Sequence, residues 1–319
     1  MIPMPSLWAK GRAGSIALIT LALLGQAVAA GAAAFATRDL FGSLAGSEPP
    51  QATAIVLIAI SGIVIALCRV GARILGEKMG QSYAMDIRTA LYCHASRMPR
   101  QAAVTRRAGA VSLRFVGDLT ALRSWASLGL PQLLAAVVLV PATLAVLVLI
   151  DPAFGQAIVP LVAAAIMIMA VLGRGLGVVN HDLRRARGRI AADLSERMPN
   201  APFLFAAGRL GKELSVLEKR TRALIAVSMR RVRKAETVRA IPEILAGLAA
   251  AMVIWIGFRD ELTTGAVAGA LAALGLGLQP LRGLALVWNR HSAWRAAREK
   301  VVVALSRPIS AEGQRTRFK

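Results

Sequence analysis

Few residues in this chain have the types and spacing that chemistry requires. The three histidines, His94, His181 and His291, are far apart, and the two cysteines are Cys68 and Cys93. Two cysteines make neither a disulfide framework nor a four-ligand zinc site. Isolated histidines read as packed or solvated side chains rather than as metal ligands or bases. No Ser-His-Asp or paired-carboxylate arrangement stands out. A loop that cradles phosphates with its backbone amides needs G-x-x-x-x-G-K-[ST]. The Gly211-Lys212 pair is followed by Glu213, and Ala206 stands where the first glycine belongs. Gly275-x-Gly277 lies in an apolar run with no strand before it, so it reads as helix packing or a bend. The residues therefore nominate no catalytic, cofactor-binding or metal-binding group. Two carboxylates have candidate partners. Asp118 lies one turn after Arg114, and Glu243 lies four residues after Arg239 at the edge of an apolar run. Headgroup-level pairing with Arg239 is the expected role of Glu243, ahead of proton coupling.

The elements that carry these residues are apolar. The chain has 319 residues, of which 56% are hydrophobic, 18% charged and only 5% aromatic. Mean hydropathy is +0.59. Such an excess of small and aliphatic residues suits membrane helices better than a globular core, and it excludes general disorder. Six uncharged runs occur, at 13–37, 49–68, 124–150, 152–173, 244–258 and 262–281. A spanning helix needs about 20 apolar residues. The run at 244–258 is short unless Glu243 and Arg239 snorkel to headgroup level. The spacing thus predicts an all-α membrane protein with six spans. Ala27-Val28-Ala29 resembles a signal-peptidase site, but the apolar run continues well past it, so the first run reads as a span.

Net charge is +22, which in a soluble chain would suggest nucleic acid. Sorted by topology it carries a different message. Of 39 basic residues, 37 fall on the N-terminus, the 69–123 and 174–242 connections and the tail. That is the positive-inside pattern, which places both termini and both long connections in the cytoplasm. The charge then faces anionic headgroups rather than nucleic acid. The N-terminal Met1–Lys10 segment, with Trp8, is suited to lying in the interface.

The two long connections have helical patterns broken by prolines. The first is interrupted at Met98-Pro99 and runs through Gly109. The second is interrupted at Pro199 and Pro202, between a helix from about Arg174 to Arg197 and another from about Gly211 to Arg239. At 1.5 Å per residue, a 25-residue extension reaches nearly 40 Å beyond the bilayer. Each connection is a helical hairpin on a stalk, read either as a spacer or as a lever with a docking tip. Phe203 and Phe205, at the second tip, are candidates for an anchor in a partner groove. Gly265-x-x-x-Gly269 permits close helix approach, although this spacing recurs by chance in an Ala/Gly-rich chain.

These residues resemble the transmembrane domain of ATP-binding-cassette exporters. DIRTALYCHASRMP (Asp86 to Pro99) and GAVSLRFVGDLTALR (Gly109 to Arg123) place Arg88, His94, Pro99, Gly109, Arg114 and Asp118 where that family tends to carry them. Ala110 and Gly117 depart from its usual Glu and Asn. Glu196 and AAGR (Ala206 to Arg209) are similar to its second intracellular loop, with Asn200 where Gly is frequent. GFRDELTTGAVAGALAALGLGLQPLRGL (Gly257 to Leu284) resembles its last two spans. The resemblance covers roughly residues 10–305.

It implies an interfacial elbow over 1–12, one six-span domain with long cytoplasmic helical extensions over 13–306, and a polar tail over 307–319. It also implies a homodimer or heterodimer with a second transmembrane domain, the fourth and fifth spans crossing to the partner. ATP and Mg would sit on a partner nucleotide-binding ATPase subunit rather than on this chain. Coupling would pass through Arg100, Thr105 and Arg106 at one tip and Phe203, Phe205 and Arg209 at the other. Arg88, His94, Gly109, Arg114, Asp118 and Glu196 would be structural. The expected role is the substrate-translocating subunit of an exporter in the cell's inner or plasma membrane, in contact with lipid and not with nucleic acid. The alternatives are a half-transporter that lost a fused nucleotide domain, a proton-driven transporter with a related membrane domain, and a membrane scaffold.

Overall fold

The computed structural model describes residues 4–9, 11–46, 49, 51–96 and 118–306. Almost all of them are helical, and no strand occurs among them. The helices are α1 (Arg12–Ala45), α2 (Ala52–Ala95), α3 (Asp118–Ile150), α4 (Pro152–Arg197), α5 (Ala201–Ala206), α6 (Leu210–Arg259), α7 (Thr264–Gly277) and α8 (Gln279–Leu305). Six stretches are long and apolar enough to cross a membrane: α1, α2, α3, α4 through α5, α6, and α7 through α8. Helix is the form a segment takes where lipid offers no hydrogen bonds, because it satisfies its own backbone. The hydroxyls follow the same logic. Thr20, Thr37 and Thr143 each donate to the carbonyl four residues earlier, at 3.0, 2.7 and 2.7 Å.

Two compact units make up the chain: 1–162 together with 245–319, and Ala163–Ile244. In the first, α1, α2, α3, α7 and α8 pack around one another. Small residues set the α1–α7 seam. Ala34, Ala266 and Ala270 are buried there, and Gly265 and Gly269 lie against the α1 backbone at Arg38. The Gly265/Gly269 spacing is thus a packing motif and not a chance recurrence. The bend between α7 and α8 falls at Leu278, just after Gly277, where a Cβ would overlap Thr143 of α3. Short connections are capped locally. Asp151 accepts from the Ala153 N–H at 2.8 Å, and Thr263 from the Ala266 N–H at 3.2 Å. Between α6 and α7, Arg259 makes two hydrogen bonds to Asp260, at 2.6 and 2.7 Å, and lies 4.9 Å from the Trp255 ring. Those bonds hold the Asp260 carboxyl below its usual 3.8.

Contacts within this unit correct the boundaries that the uncharged runs suggest. Arg12 reaches Asp86, and Gly25 faces Cys68 at 3.4 Å. Between those points Ile19 and Leu23 share a cluster with Ala72 and Leu75, and Ile16 shares one with Met79 and Tyr83. The half of the first apolar run nearer Arg12 therefore lies beside residues 69–82 of α2, a stretch that the runs alone put outside the membrane. The long run at 124–150 shows the converse. Its Trp125 packs on His291 and Trp294 of α8, with centroids 5.0 and 5.8 Å away, well past Arg282. Gln132 is the α3 residue level with Gly283. That end of the run is buried against α2 and α8.

Among residues 4–9 there is a turn at Leu7–Ala9, and Trp8 is exposed. Arg12 holds this segment down: its guanidinium donates to the Ser6 and Leu7 carbonyls at 2.6 and 3.3 Å. The same side chain pairs with Asp86 at 2.7 Å and donates to Ser82 at 3.3 Å, and it is only 2% exposed. A residue that marks a span edge in the sequence is in the structure a buried ion pair, satisfied on every side.

In the second unit the two long helices are antiparallel. Arg197 pairs with Glu213, Arg220 with Asp193, and Gly175 faces the Lys234 ammonium at 3.4 Å. Within this unit the buried apolar side chains of α4 include Ala165, Met169, Leu176, Val179, Leu183 and Ala186. Their steps of three, four and seven are those of a coiled-coil seam. The expected Arg239–Glu243 pair is not formed. Arg239 turns one residue closer, to Glu236 at 2.6 Å, and Glu243 is exposed.

Candidate functional site

The tip of the second unit is built by proline and glycine. Pro199 lies in a 3₁₀ turn, Met198–Asn200, that ends α4, and the Asn200 amide donates back to the Glu196 carbonyl at 3.4 Å. Pro202 stands in the first turn of α5, where its missing N–H costs nothing. Gly208 then stops α5 with φ +68. Its N–H donates to the Phe205 carbonyl and that of Arg209 to the Leu204 carbonyl, both at 3.0 Å. This paired pattern needs a left-handed residue, which glycine supplies without strain. The result is a six-residue helix between two long ones, with Phe203 74% and Phe205 70% exposed. Met198 is exposed beside them. Glu196 and Arg209 flank the same tip on the surface.

The other residues singled out in the sequence are scattered. Arg88 is exposed on α2, whereas His94 near the end of that helix is buried. Asp118 opens α3 and accepts from Lys300 of α8 at 3.0 Å. Arg100, Thr105, Arg106, Gly109 and Arg114 lie outside the described residues, as does the Asp118–Arg114 pairing.

A second cluster escaped the sequence reading. It lies where α2, α3 and α8 meet, at a π turn in α3 (Trp125–Gly129). There the Leu130 N–H donates to the Trp125 carbonyl, five residues back. Such a turn disturbs the carbonyl ladder and recurs at functional positions. Here the Ser127 carbonyl accepts from Arg73 of α2 at 3.2 Å. Gly76 and Gly80 let α2 come this close, since a Cβ at Gly76 would lie 2.8 Å from the Ser127 oxygen. Around the turn, Arg69 donates to the Gln279 amide oxygen at 2.7 Å, and Arg290 to that of Gln132 at 2.5 Å. Glu77 lies 3.6 Å from Arg73 and 3.8 Å from Arg123. The available signal was Gly76-x-x-x-Gly80 in a charged helix beside an overlong apolar run.

No group of His, Cys, Asp or Glu able to hold a metal ion occurs among the described residues. What the arrangement offers is an apolar bundle, two long helices with an aromatic tip, and a basic joint. Over residues 16–261 the chain matches the family described as ABC transporter transmembrane region. The chain belongs to that family. No curated protein matches it. As a member of the ABC transporter transmembrane family it is a multi-pass membrane protein and a membrane transport subunit.

Proposed function

We propose that this chain is the substrate-translocating subunit of an ATP-driven exporter. It works as a dimer of transmembrane domains and is coupled to a separate ATPase through its hairpin tips. The observation that carries this reading is the pair Phe203 and Phe205. They stand exposed on a six-residue helix held between Pro202 and Gly208. A solvated spacer has no use for two exposed rings on a rigidly capped turn, whereas a partner groove does. ATP binding would close the partner ATPases, and the α4–α6 hairpin would carry that motion to the spans as a rigid body. The bundle would then switch between inward-facing and outward-facing states. Neither ATP nor Mg is held by this chain. Hydrolysis belongs to the partner, and the purified chain alone should bind no ATP.

The positive-inside distribution supports termini and hairpins in the cytoplasm of a cell whose inner or plasma membrane holds the protein. A cysteine placed at Arg187 should be shielded from impermeant thiol reagents in intact cells, and labelling from outside would reverse the orientation.

The coupling test is Phe203→Ala with Phe205→Ala. Membrane insertion, thermal stability and dimer yield should stay near wild type while copurification of the ATPase falls sharply. If the dimer is lost while the folded fraction still binds the ATPase, the two rings belong to the bundle instead.

A second reading has one observation in its favour. Glu243 is exposed, and Arg239 is engaged elsewhere. A proton-driven transporter would need such a carboxylate. Transport that requires Glu243 and a proton gradient but no ATP would replace the first reading.

A further inference from the structure

The joint at the π turn holds more positive charge than its own groups neutralise. Arg69 and Arg73 are one turn apart on α2, and like charges at this spacing repel. Arg73 also repels Arg290 across the joint. Arg123 completes the group, and its Nε is buried with no hydrogen-bond partner. Among the described residues the only carboxylate in ion-pair reach of these four guanidiniums is Glu77, shared by Arg73 and Arg123. The closest acceptors of Arg69 and Arg290 are the amide oxygens of Gln279 and Gln132. An amide oxygen satisfies an N–H but leaves the charge uncompensated.

Three cations elsewhere on this unit each have a carboxylate of their own. Arg12 has Asp86, Lys300 has Asp118 and Arg259 has Asp260. Residues 69–82 lie beside the α1 stretch whose outward face is Leu18, Leu21 and Leu24, all exposed. Guanidiniums at the depth of an apolar face point into the protein or into a water-filled path, and there they mark the route of a charged species. A planar fork of N–H donors matches the two oxygens of a phosphate or carboxylate.

We propose that Arg69, Arg73, Arg123 and Arg290 form a binding site for an oxyanion, the phosphate or carboxylate headgroup of an amphipathic cargo. Gln132 and Gln279 hold two of the guanidiniums in place until the anion arrives. This deepens the transport reading above and rests on it for the word cargo. Binding itself requires no ATPase.

The experiment uses the full chain with Trp8, Trp255 and Trp288 replaced by Phe. Trp125 and Trp294, which pack at the joint, then report alone. Brominated phosphatidylglycerol and brominated phosphatidylcholine are compared as quenchers, with inorganic phosphate as competitor. Phosphatidylglycerol should quench preferentially. Arg73→Gln and Arg290→Gln should each lower the preference about fivefold, the scale of one charge at a membrane surface. Arg73→Lys should keep most of it, and Arg259→Gln, at the α6–α7 turn, all of it. Gln132→Glu with Gln279→Glu keeps every arginine and supplies internal anions, so it should abolish the preference without unfolding the joint.

A preference that resists excess phosphate marks a lipid-borne headgroup. One that phosphate removes, in wild type but not in the variants, marks a soluble anion at the same guanidiniums. Equal quenching by both lipids with no phosphate effect, or a preference unchanged in the Gln132→Glu, Gln279→Glu protein, overturns the proposal. Either negative leaves the Phe203 and Phe205 docking test unaffected.

Discussion

Replacing Gly269 by alanine tests whether the α1–α7 seam is as tight as its geometry indicates. A Cβ there would lie 2.8 Å from the Arg38 Cβ and 2.9 Å from the Ala34 carbonyl oxygen. Ordinary contact begins at 3.4 Å, so the helices must separate by about half an ångström, the difference between 3.4 and 2.9. Neither neighbour is the free end of a flexible side chain, so the strain falls on the seam. A gap of that size forfeits about a quarter of the dispersion energy of each lining pair, and overfilling a packed site costs about 1–3 kcal/mol. Alanine's better helix propensity returns about 0.5–1 kcal/mol. The expected net loss is therefore about 1–2 kcal/mol. Gly275→Ala is the matched control, since a Cβ there meets nothing within 4 Å. It should gain the propensity term alone, so the two variants differ by the overpacking cost, about 1–3 kcal/mol. Equilibrium unfolding in mixed micelles reads the difference directly. If Gly269→Ala is as stable as Gly275→Ala, the close approach of α7 to Arg38 is wrong. Adding Gly265→Ala should enlarge the loss, because its Cβ would press on the Arg38 carbonyl and lie 2.9 Å from the Gly42 nitrogen.

Other residues give independent checks. Arg12→Leu removes the guanidinium from Asp86 and frees the Ser6–Leu7 turn, and unfolding should be easier by about 3 kcal/mol. A protease should then cut near residue 8, and Asp86→Leu in the same chain should restore part of the stability. Glu261 has φ 51 between α6 and α7, a conformation that glycine adopts without strain. Glu261→Gly should raise stability by about 0.5–1 kcal/mol, as read by the same unfolding assay. The Asp260 carboxyl titrates below 3.8 because Arg259 donates to it. Its depressed value means that the pair's contribution is present at neutral pH and is lost as pH falls through that lower value. Arg259→Gln should move the Asp260 titration up toward 3.8, which site-resolved NMR detects.

The class of protein was legible from sequence alone. Uncharged runs and one-sided basic residues dictate membrane helices, because hydrocarbon admits neither charge nor unpaired backbone. The second hairpin was legible for a local reason: Pro199 and Pro202 limit the backbone wherever they stand, so Phe203 and Phe205 fell on a short tip, while the left-handed stop at Gly208 came from the structure.

Depth and partnership were decided only by tertiary structure. An uncharged run shows where charge is absent, not which residues stand level with it on a neighbouring helix. Arg69 and Arg73 read as lying outside the bilayer until contacts with α1 set them beside apolar residues, and Trp125 showed no partner until folding brought His291 and Trp294 of α8 to its ring. Arg12 counted as a topological charge until folding brought Asp86, 74 residues away, to its guanidinium. Arg239 had two carboxylates within a helical turn, and only the packed structure chose Glu236. Local spacing constrains what lies within one turn of a helix. Which face a neighbouring helix covers, and at what height, is a property of the whole bundle.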